Sequence, residues 1–411
     1  MHSVKLTIEG TYWDSQIYSG ELVLFDAEGG IHRIEWRDVI DQMAERNASI
    51  QTALRVAFSD SDLFYNPKVR KILCDPIIES PIKKQLKELA TLAITANQLE
   101  WSSHWKTESS PFPFLPIDTD IYYHHILAGG DEGLFSVPKS RATAGKLFGK
   151  SLFKHHDARF FQIRASDRFT AVAAAAGDDG LFEFAFSRAD EDVLNKSRRL
   201  AERSCSACDW AFQSVMGWTT EGAFFASFKD EKDPTTKRSI RSFDRIVEPS
   251  EMFGEEMSIS SSPRIVWGCR EKVYRISNHQ IDVANYSPRS AKSKKNAESK
   301  EVGKLFTQRG KFDLNFDAST AIATGTAPFG TVLEFDDRLV VLRSDGVVDV
   351  FDGEPVHWRV FPRSDHYSNQ LHIIYDDRLE VISFVHDYFV DQSEKLSGFV
   401  RGSGPQSSES V

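Results

Sequence analysis

Residues 144–151 read Ala-Gly-Lys-Leu-Phe-Gly-Lys-Ser, a relaxed phosphate-loop pattern with Ala in place of the first Gly. Such a loop points successive backbone N–H groups at phosphate, with Lys150 on the outer phosphate oxygens and Ser151 on magnesium. It has to follow a buried strand and open a helix. The flanks are SVPKSRAT before and SLFKHHDARFFQIR after, and the second carries no helical stripe, so an ordinary connection between strands is the preferred reading. Cys205-Ser206-Ala207-Cys208 has a two-thiolate spacing suited to zinc or redox work. A structural zinc needs four ligands, Cys74 and Cys269 stand alone, and no spaced His pair accompanies them. No metal site is therefore expected. Cys205 and Cys208 remain the weak candidates, and their plain reading is two small, half-buried residues ahead of a strand starting at Trp210.

His124-His125 and His155-His156 are adjacent pairs. Neighbours on a strand point to opposite faces, so neither pair can chelate one ion with both rings, and His125 in its apolar run reads as a hydrogen-bonded interior His. His366, His372 and His386 follow later without fixed spacing to a nucleophile. Asp178-Asp179, Asp336-Asp337 and Asp376-Asp377 could pair carboxylates, but each falls between two apolar runs. Asp there tolerates turn conformations and bonds its own backbone. The local hint of a partner is the stretch 286–304, which holds Arg289, Lys292, Lys294, Lys295, Lys300 and Lys304 against two Glu and almost nothing apolar. It reads as a disordered basic loop. It could meet an acidic protein surface or nucleic acid. It has no interleaved aromatics for base stacking, and a merely solvated loop is the plain alternative.

The elements that would have to position any such site come from a repeating phrase. HHILAGGDEGLFSV, AVAAAAGDDGLFEFAF, VMGWTTEGAFFASF, IVWGCREKVYRIS, TVLEFDDRLVVLR and LHIIYDDRLEVISF each join two apolar runs by a turn rich in Asp, Glu or Gly. The residues just past the turns are Leu134, Leu181, Ala223, Lys272, Leu339 and Leu379, giving steps of 47, 42, 49, 67 and 40 residues. A period near 40 to 50 built from short strands marks a propeller blade. The chain resembles β-propellers in general over residues 1–36 and 118–391. It lacks the Gly-His and Trp-Asp dipeptides of the tryptophan–aspartate repeat family and the double Gly of kelch blades, so no narrower family is named. The expected fold is all-β: a β-propeller of seven blades, with six or eight also fitting the spacing, and an α-helical insertion after the first blade.

In detail, 1–37 supplies the first propeller strands and 38–113 the helical insertion. The remaining blades take 114–395, and 396–411 is a Gly- and Ser-rich disordered tail. An N-terminal strand is expected to complete the blade built by the C-terminal strands, which removes exposed edges. Within the insertion, Ser80 reads as N-cap and Pro81 as first helical residue, with Ile82, Leu86, Leu89 and Ala93 as its apolar stripe.

Composition sets the outer limits. The 411 residues include thirty Phe, more than Tyr and Trp together, which suits the space between stacked sheets. A net charge of −10 disfavours general binding to phosphate backbones. Four Cys argue for a reducing compartment, and no apolar window is long enough for a membrane span or signal peptide, so a cytoplasmic or nuclear location is expected. The resulting expectation is a non-enzymatic scaffold without cofactors, a subunit of a larger assembly that offers propeller loops and a helical insertion to partner proteins. The alternatives are an enzyme with its site at the propeller channel mouth, or a nucleic-acid-associated subunit using the 286–304 loop.

Overall fold

The computed structural model describes residues 3–59, 66–140, 148–149, 151–188, 190, 192–219, 222–253, 265–269, 272–277, 279–287, 305–364 and 366–389. They form seven sheets of four strands, one widened by a fifth, and the fold is a seven-bladed β-propeller with a helical insertion. Blade 1 comprises Tyr12–Tyr18, Glu21–Asp26, Gly30–Ile34 and Trp105–Ser109. Blade 2 comprises Asp118–Tyr122, His125–Gly130, Gly133–Pro138 and Phe153–His156, and blade 3 Gln162–Ala165, Ala171–Ala175, Leu181–Ala185 and Lys196–Ala201. Blade 4 comprises Ala207–Ala211, Ser214–Thr219, Gly222–Lys232 and Ser239–Val247, and blade 5 Val266–Cys269, Lys272–Ser277, Gln280–Tyr286 and Phe306–Asp313. Blade 6 comprises Ala323–Ala327, Gly330–Phe335, Arg338–Arg343 and Val348–Asp352. Blade 7 joins His357–Val360, Gln370–Tyr375 and Arg378–Ser383 to the N-terminal strand Val4–Glu9, so the expected closure by an N-terminal strand is present.

Two compact units divide these blades. One spans Met1–Pro113, Pro138–Lys150 and Gly325–Arg401, and holds blades 1 and 7, the helical insertion and nearly all of blade 6. The other spans Phe114–Val137, Ser151–Thr324 and Gly402–Val411, with blades 3 to 5 and nearly all of blade 2.

The repeated turns do what their residues dictate. Asp336-Asp337 and Asp376-Asp377 sit in two-residue turns between the second and third strands of blades 6 and 7, bracketed by the pairs Phe335↔Arg338 and Tyr375↔Arg378. One phrase occupies a different place. The Cys269-to-Lys272 junction joins the first two strands of blade 5, not its second and third, because an apolar run either side of a charged turn looks the same at both hairpins. The 67-residue step that it opened thus reflects a shift of one strand as well as the long connection from Tyr286 to Phe306.

Strands buried on both faces lose the alternation that marks a half-solvated sheet. Ala171–Ala175 is buried throughout. Val172 and Ala174 face the cluster holding Phe160, Phe182, Phe184 and Phe186, while Ala171, Ala173 and Ala175 face Cys205, Cys208, Trp210 and Val215. Side chains also tie the first strands of neighbouring blades. In the second unit, Asp118 Oδ2 accepts the Ile163 N–H at 2.7 Å and the Arg164 Nη1 at 2.9 Å, and Asp120 Oδ2 accepts the Ala165 N–H at 2.9 Å. Trp210 Nε1 donates to Arg164 O at 2.7 Å. Apart from the Asp118–Arg164 ion pair, each tie satisfies a backbone group that an inner strand leaves without a ladder partner.

The insertion interrupts blade 1 between its third and fourth strands. It carries helices α1 (Trp36–Arg46), α2 (Gln51–Phe58), α3 (Pro67–Leu73) and α4 (Pro76–Leu89), then the short strand Ile94–Ala96, which lies parallel to Val4–Glu9 as the fifth strand of blade 7. Val39, Ile40, Met43, Leu54, Phe58, Ile82, Leu86 and Leu89 pack with Leu6, Ile8, Leu379 and Val381 of blade 7. Polar groups fix the end of α2: Ser383 Oγ donates to Ala57 O at 2.8 Å, and Phe58 O accepts from Trp36 Nε1 at 2.8 Å and Gln370 Nε2 at 3.1 Å. The last carbonyls of a helix have no intrahelical donor, and here blade 7 and α1 supply them. The fourth helix does not start at Ser80-Pro81. Asp75 is the N-cap, its carboxylate accepting the Ile77 N–H at 3.0 Å, and Pro76 is the first helical residue. Pro81 sits inside α4, beyond the first turn, at the loss of one backbone hydrogen bond. Helix α4 ends at Leu89, so the anticipated Ala93 lies beyond its stripe.

Candidate interaction surface

The chemical candidates part company in the structure. Arg289, Lys292, Lys294, Lys295, Lys300 and Lys304 lie outside the described residues, as does most of the phosphate-loop match. What is described around that match is a bridge between Lys139 and Phe148. Cys205 and Cys208 are both buried, and Cys208 already belongs to the strand that starts at Ala207 rather than at Trp210. Burial pushes the Cys205 thiol up to about 12 and holds the Cys208 thiol well above its ordinary range. Both therefore stay protonated near neutrality, whereas the thiolate is the form that binds metal or attacks. His155 Nε2 lies 2.7 Å from Ser136 Oγ and its Nδ1 2.7 Å from Asp192 Oδ1, which occupies both ring nitrogens. His125 contacts the Tyr123 carbonyl at 3.1 Å, and burial lowers its pKa.

Three constellations with chemical residue types form that spacing alone did not reveal. In the first unit, His372 is fully buried between Ser15 Oγ, 3.1 Å from its Nδ1, and Gln370 Oε1, 3.4 Å from its Nε2. These partners assign the tautomer: Ser15 donates to Nδ1 and the Nε2–H donates to Gln370. Burial, reinforced by the nearby Arg359 charge, lowers its pKa to about 3, so the ring is uncharged near neutrality and a weak base toward Ser15. The neighbouring Asp14 carboxylate binds the Arg359 guanidinium, at 2.7 Å from Nη2. This set ties blade 1 to blade 7.

The second set gathers Glu21, Arg33 and Lys139, all buried, with both cations on the one carboxylate. Burial is the main reason that the Lys139 ammonium titrates below its usual range. The third is Glu35, Asp38 and His104, the one set of three ligand-type side chains within 4.8 Å of one another among the described residues. His104 Nδ1 lies 3.3 Å from Glu35 Oε2, and Gln42 Nε2 lies 2.5 Å from His104 Nε2. Both ring nitrogens of His104 are thus engaged within the protein, Nδ1 by Glu35 and Nε2 by Gln42. The set joins the start of α1 to the end of the insertion.

The surface that stands out is the elbow between α3 and α4. Asn66-Pro67 and Asp75-Pro76 each make an N-cap followed by Pro at the first helical position, and Asn66 Oδ1 accepts the Lys68 N–H at 3.0 Å. Two caps nine residues apart turn the end of α3 straight into the start of α4. Arg70 fastens α3 to the body through a 2.8 Å bond from Nη2 to Tyr388 O, and Ile82, Leu86 and Leu89 bury the inner stripe of α4. Outside that stripe Ile77 is 84% exposed and Ile72 58% exposed, with Ile78 exposed beside them. Lys68, Lys71, Lys84 and Lys87 are exposed on the same two helices. Residues 66–90 hold six basic residues against three acidic, in a chain of net charge −10. Sequence reasoning missed this elbow because it took the third Ser/Asp/Asn-Pro pair as the helix start; the two earlier pairs were the signal.

No family model matches the chain, and no curated protein does. Among solved structures it is similar to the WD40 β-propeller domain of Doa1, with 10% identity over 96% of this chain and 99% of that one, at a TM-score of 0.47. It is similar also to the β-propeller domain of Myceliophteria thermophila Cps50 (Swd1), with 9% identity over 91% of this chain and 96% of that one, at 0.46. The computationally designed Ika8 protein gives 8% identity over 93% and 99%, at 0.44. At these values the assignment of the fold rests on the seven sheets themselves, and function has to be argued from surfaces.

Proposed function

We propose that the protein is a non-enzymatic interaction module, a subunit of a larger assembly that docks a partner protein on the α3–α4 elbow. The supporting observation is the pairing of Ile72, Ile77 and Ile78, apolar and exposed, with a basic rim on two helices, of which α4 buries its inner stripe in the core and α3 is held by Arg70 on Tyr388 O. Large apolar side chains left in water gain from burial by a partner, at about 25 cal/mol per Å². The rim favours a segment that carries apolar anchors flanked by Asp or Glu.

Affinity purification of the tagged chain, beside an Ile72→Asp/Ile77→Asp variant, tests this reading. A partner that stays bound at high salt and is lost in the folded variant is the expected result. A partner held equally by both forms overturns the elbow. Salt-sensitive capture of nucleic acid that disappears when residues 287–304 are deleted favours the nucleic-acid reading instead.

A further inference from the structure

The last strand of each blade has a ladder partner on one side only, and exposed edges of this kind invite pairing unless something blocks them. Six of the seven blades carry a block. The outer strands of blades 1 to 5 contain Lys106, Lys154, Lys196 with Arg198 and Arg199, Arg245, and Lys311. Blade 7 ends in the three-residue strand Ile94–Ala96, too short to template a partner. Blade 6 ends in Val-Asp-Val-Phe-Asp, five residues without a cation. Val350 is 51% exposed and Val347 43% exposed, and Val348 and Val356 are exposed with them.

We propose that the outer edge of blade 6, Val348–Asp352, accepts an extended β-strand from a partner protein, one that alternates β-branched apolar residues with Lys or Arg. Two features of the edge select that occupant. Its register against the third strand is regular, Val348↔Leu342 through Asp352↔Arg338, so the edge is straight enough to continue the ladder. Val348, Val350 and Asp352 then share one face, which an incoming strand meets with residues two apart. Charge decides the rest. Residues 331–358 hold seven acidic residues and two basic ones. Both cations are already engaged: Arg343 with Asp345 and with Asp349 at 3.1 Å, and Arg338 with Asp337 at 3.1 Å. Asp352, Glu354, Asp336 and Asp337 are exposed. A second copy of this chain would bring the same acids against them, whereas a basic strand neutralises them. This edge is distinct from the elbow and stands whether or not the elbow binds.

The test uses the full chain and a fluorescent peptide of alternating Lys and Val, about eight residues long so as to span the edge. Saturable binding is expected, weakened at least about tenfold by two central Pro in the peptide, by Glu in place of its Lys, and by Val350→Lys or Val348→Lys in the protein. Ile77→Asp should bind like the parent, which separates this edge from the elbow. Equal binding of the Pro peptide means charge alone and overturns the proposal, as does full binding by both Lys variants. Sedimentation showing a dimer that Val350→Lys dissolves overturns it in favour of a second copy.

Discussion

Blade 3 and the α3–α4 elbow are built from large apolar residues and put them to opposite ends. In blade 3, Phe182 and Phe184 meet Phe160 and His156 with ring centroids between 4.7 and 6.2 Å apart, mostly at tilted or edge-on angles. None of the large apolar side chains described on the blade 3 strands is exposed. On the elbow, the inner stripe of α4 is closed off while Ile72 and Ile77 face water. A blade must glue itself to the next one, which uses both of its faces. A helix needs only one face to be held, so its other face is available. The difference teaches where to look for partners in this fold: on what is added to the blades and on their outer edges, not on their faces.

The comparison breaks first if blade 3 is not a tight interior. Phe184→Ala removes a fully buried ring and is expected to cost about 4 kcal/mol in chemical denaturation. A loss under about 1 kcal/mol would mean that the blade interior collapses around the gap. A second test addresses the buried polar tie of blades 1 and 7. The folded pKa of His372 is lowered from 6.5 to about 3, so between those values the unfolded chain binds a proton that the folded chain refuses. Stability from this group is full above pH 6.5 and is lost as pH falls, by about 2 kcal/mol at pH 5. The difference in acid sensitivity between the parent and His372→Gln isolates it, since the surrounding charges Asp14, Arg359 and His357 remain in both. Parallel stability–pH curves would sink the assignment.

How much of this was legible follows from how local each signal is. The turns at Asp336-Asp337 and Asp376-Asp377 announce themselves because their residues suit the backbone conformation. The Tyr123-His124 hairpin does not: both residues take left-handed conformations, φ 45° and 62°, that sequence rules assign to Gly or Asn. The tie between Ser15 and His372 spans 357 residues, and the Glu21–Lys139 pair 118. No spacing rule reaches that far, since such pairs exist only once the blades are stacked. The insertion was legible as helical, yet the number and boundaries of its helices were not, because Ser80-Pro81 imitates a cap that Asp75-Pro76 actually makes.

That cap yields the next smaller effect. Asp75→Ala should cost about 1 kcal/mol, read as a lowered melting transition, because the Ile77 N–H loses its acceptor. Asp75→Asn should retain most of it. If instead Ser80→Ala costs more than Asp75→Ala, the helix begins where the sequence pattern placed it and the elbow is not formed as described.

The smallest stability effect carries the most weight for function. Ile77→Ala removes an apolar side chain, as Phe184→Ala does, yet it should change stability by less than about 0.5 kcal/mol. An exposed side chain has no transfer free energy to lose and leaves no cavity, so the penalty that dominates in blade 3 has no source on the elbow. The same change should still weaken partner binding, because docking is the step at which that side chain leaves water. A measured loss of stability near that of Phe184→Ala would show Ile77 already covered in the isolated protein, and the contrast between blade and insertion would fall. Little loss of stability together with unweakened binding would leave the contrast standing and move the partner to another surface.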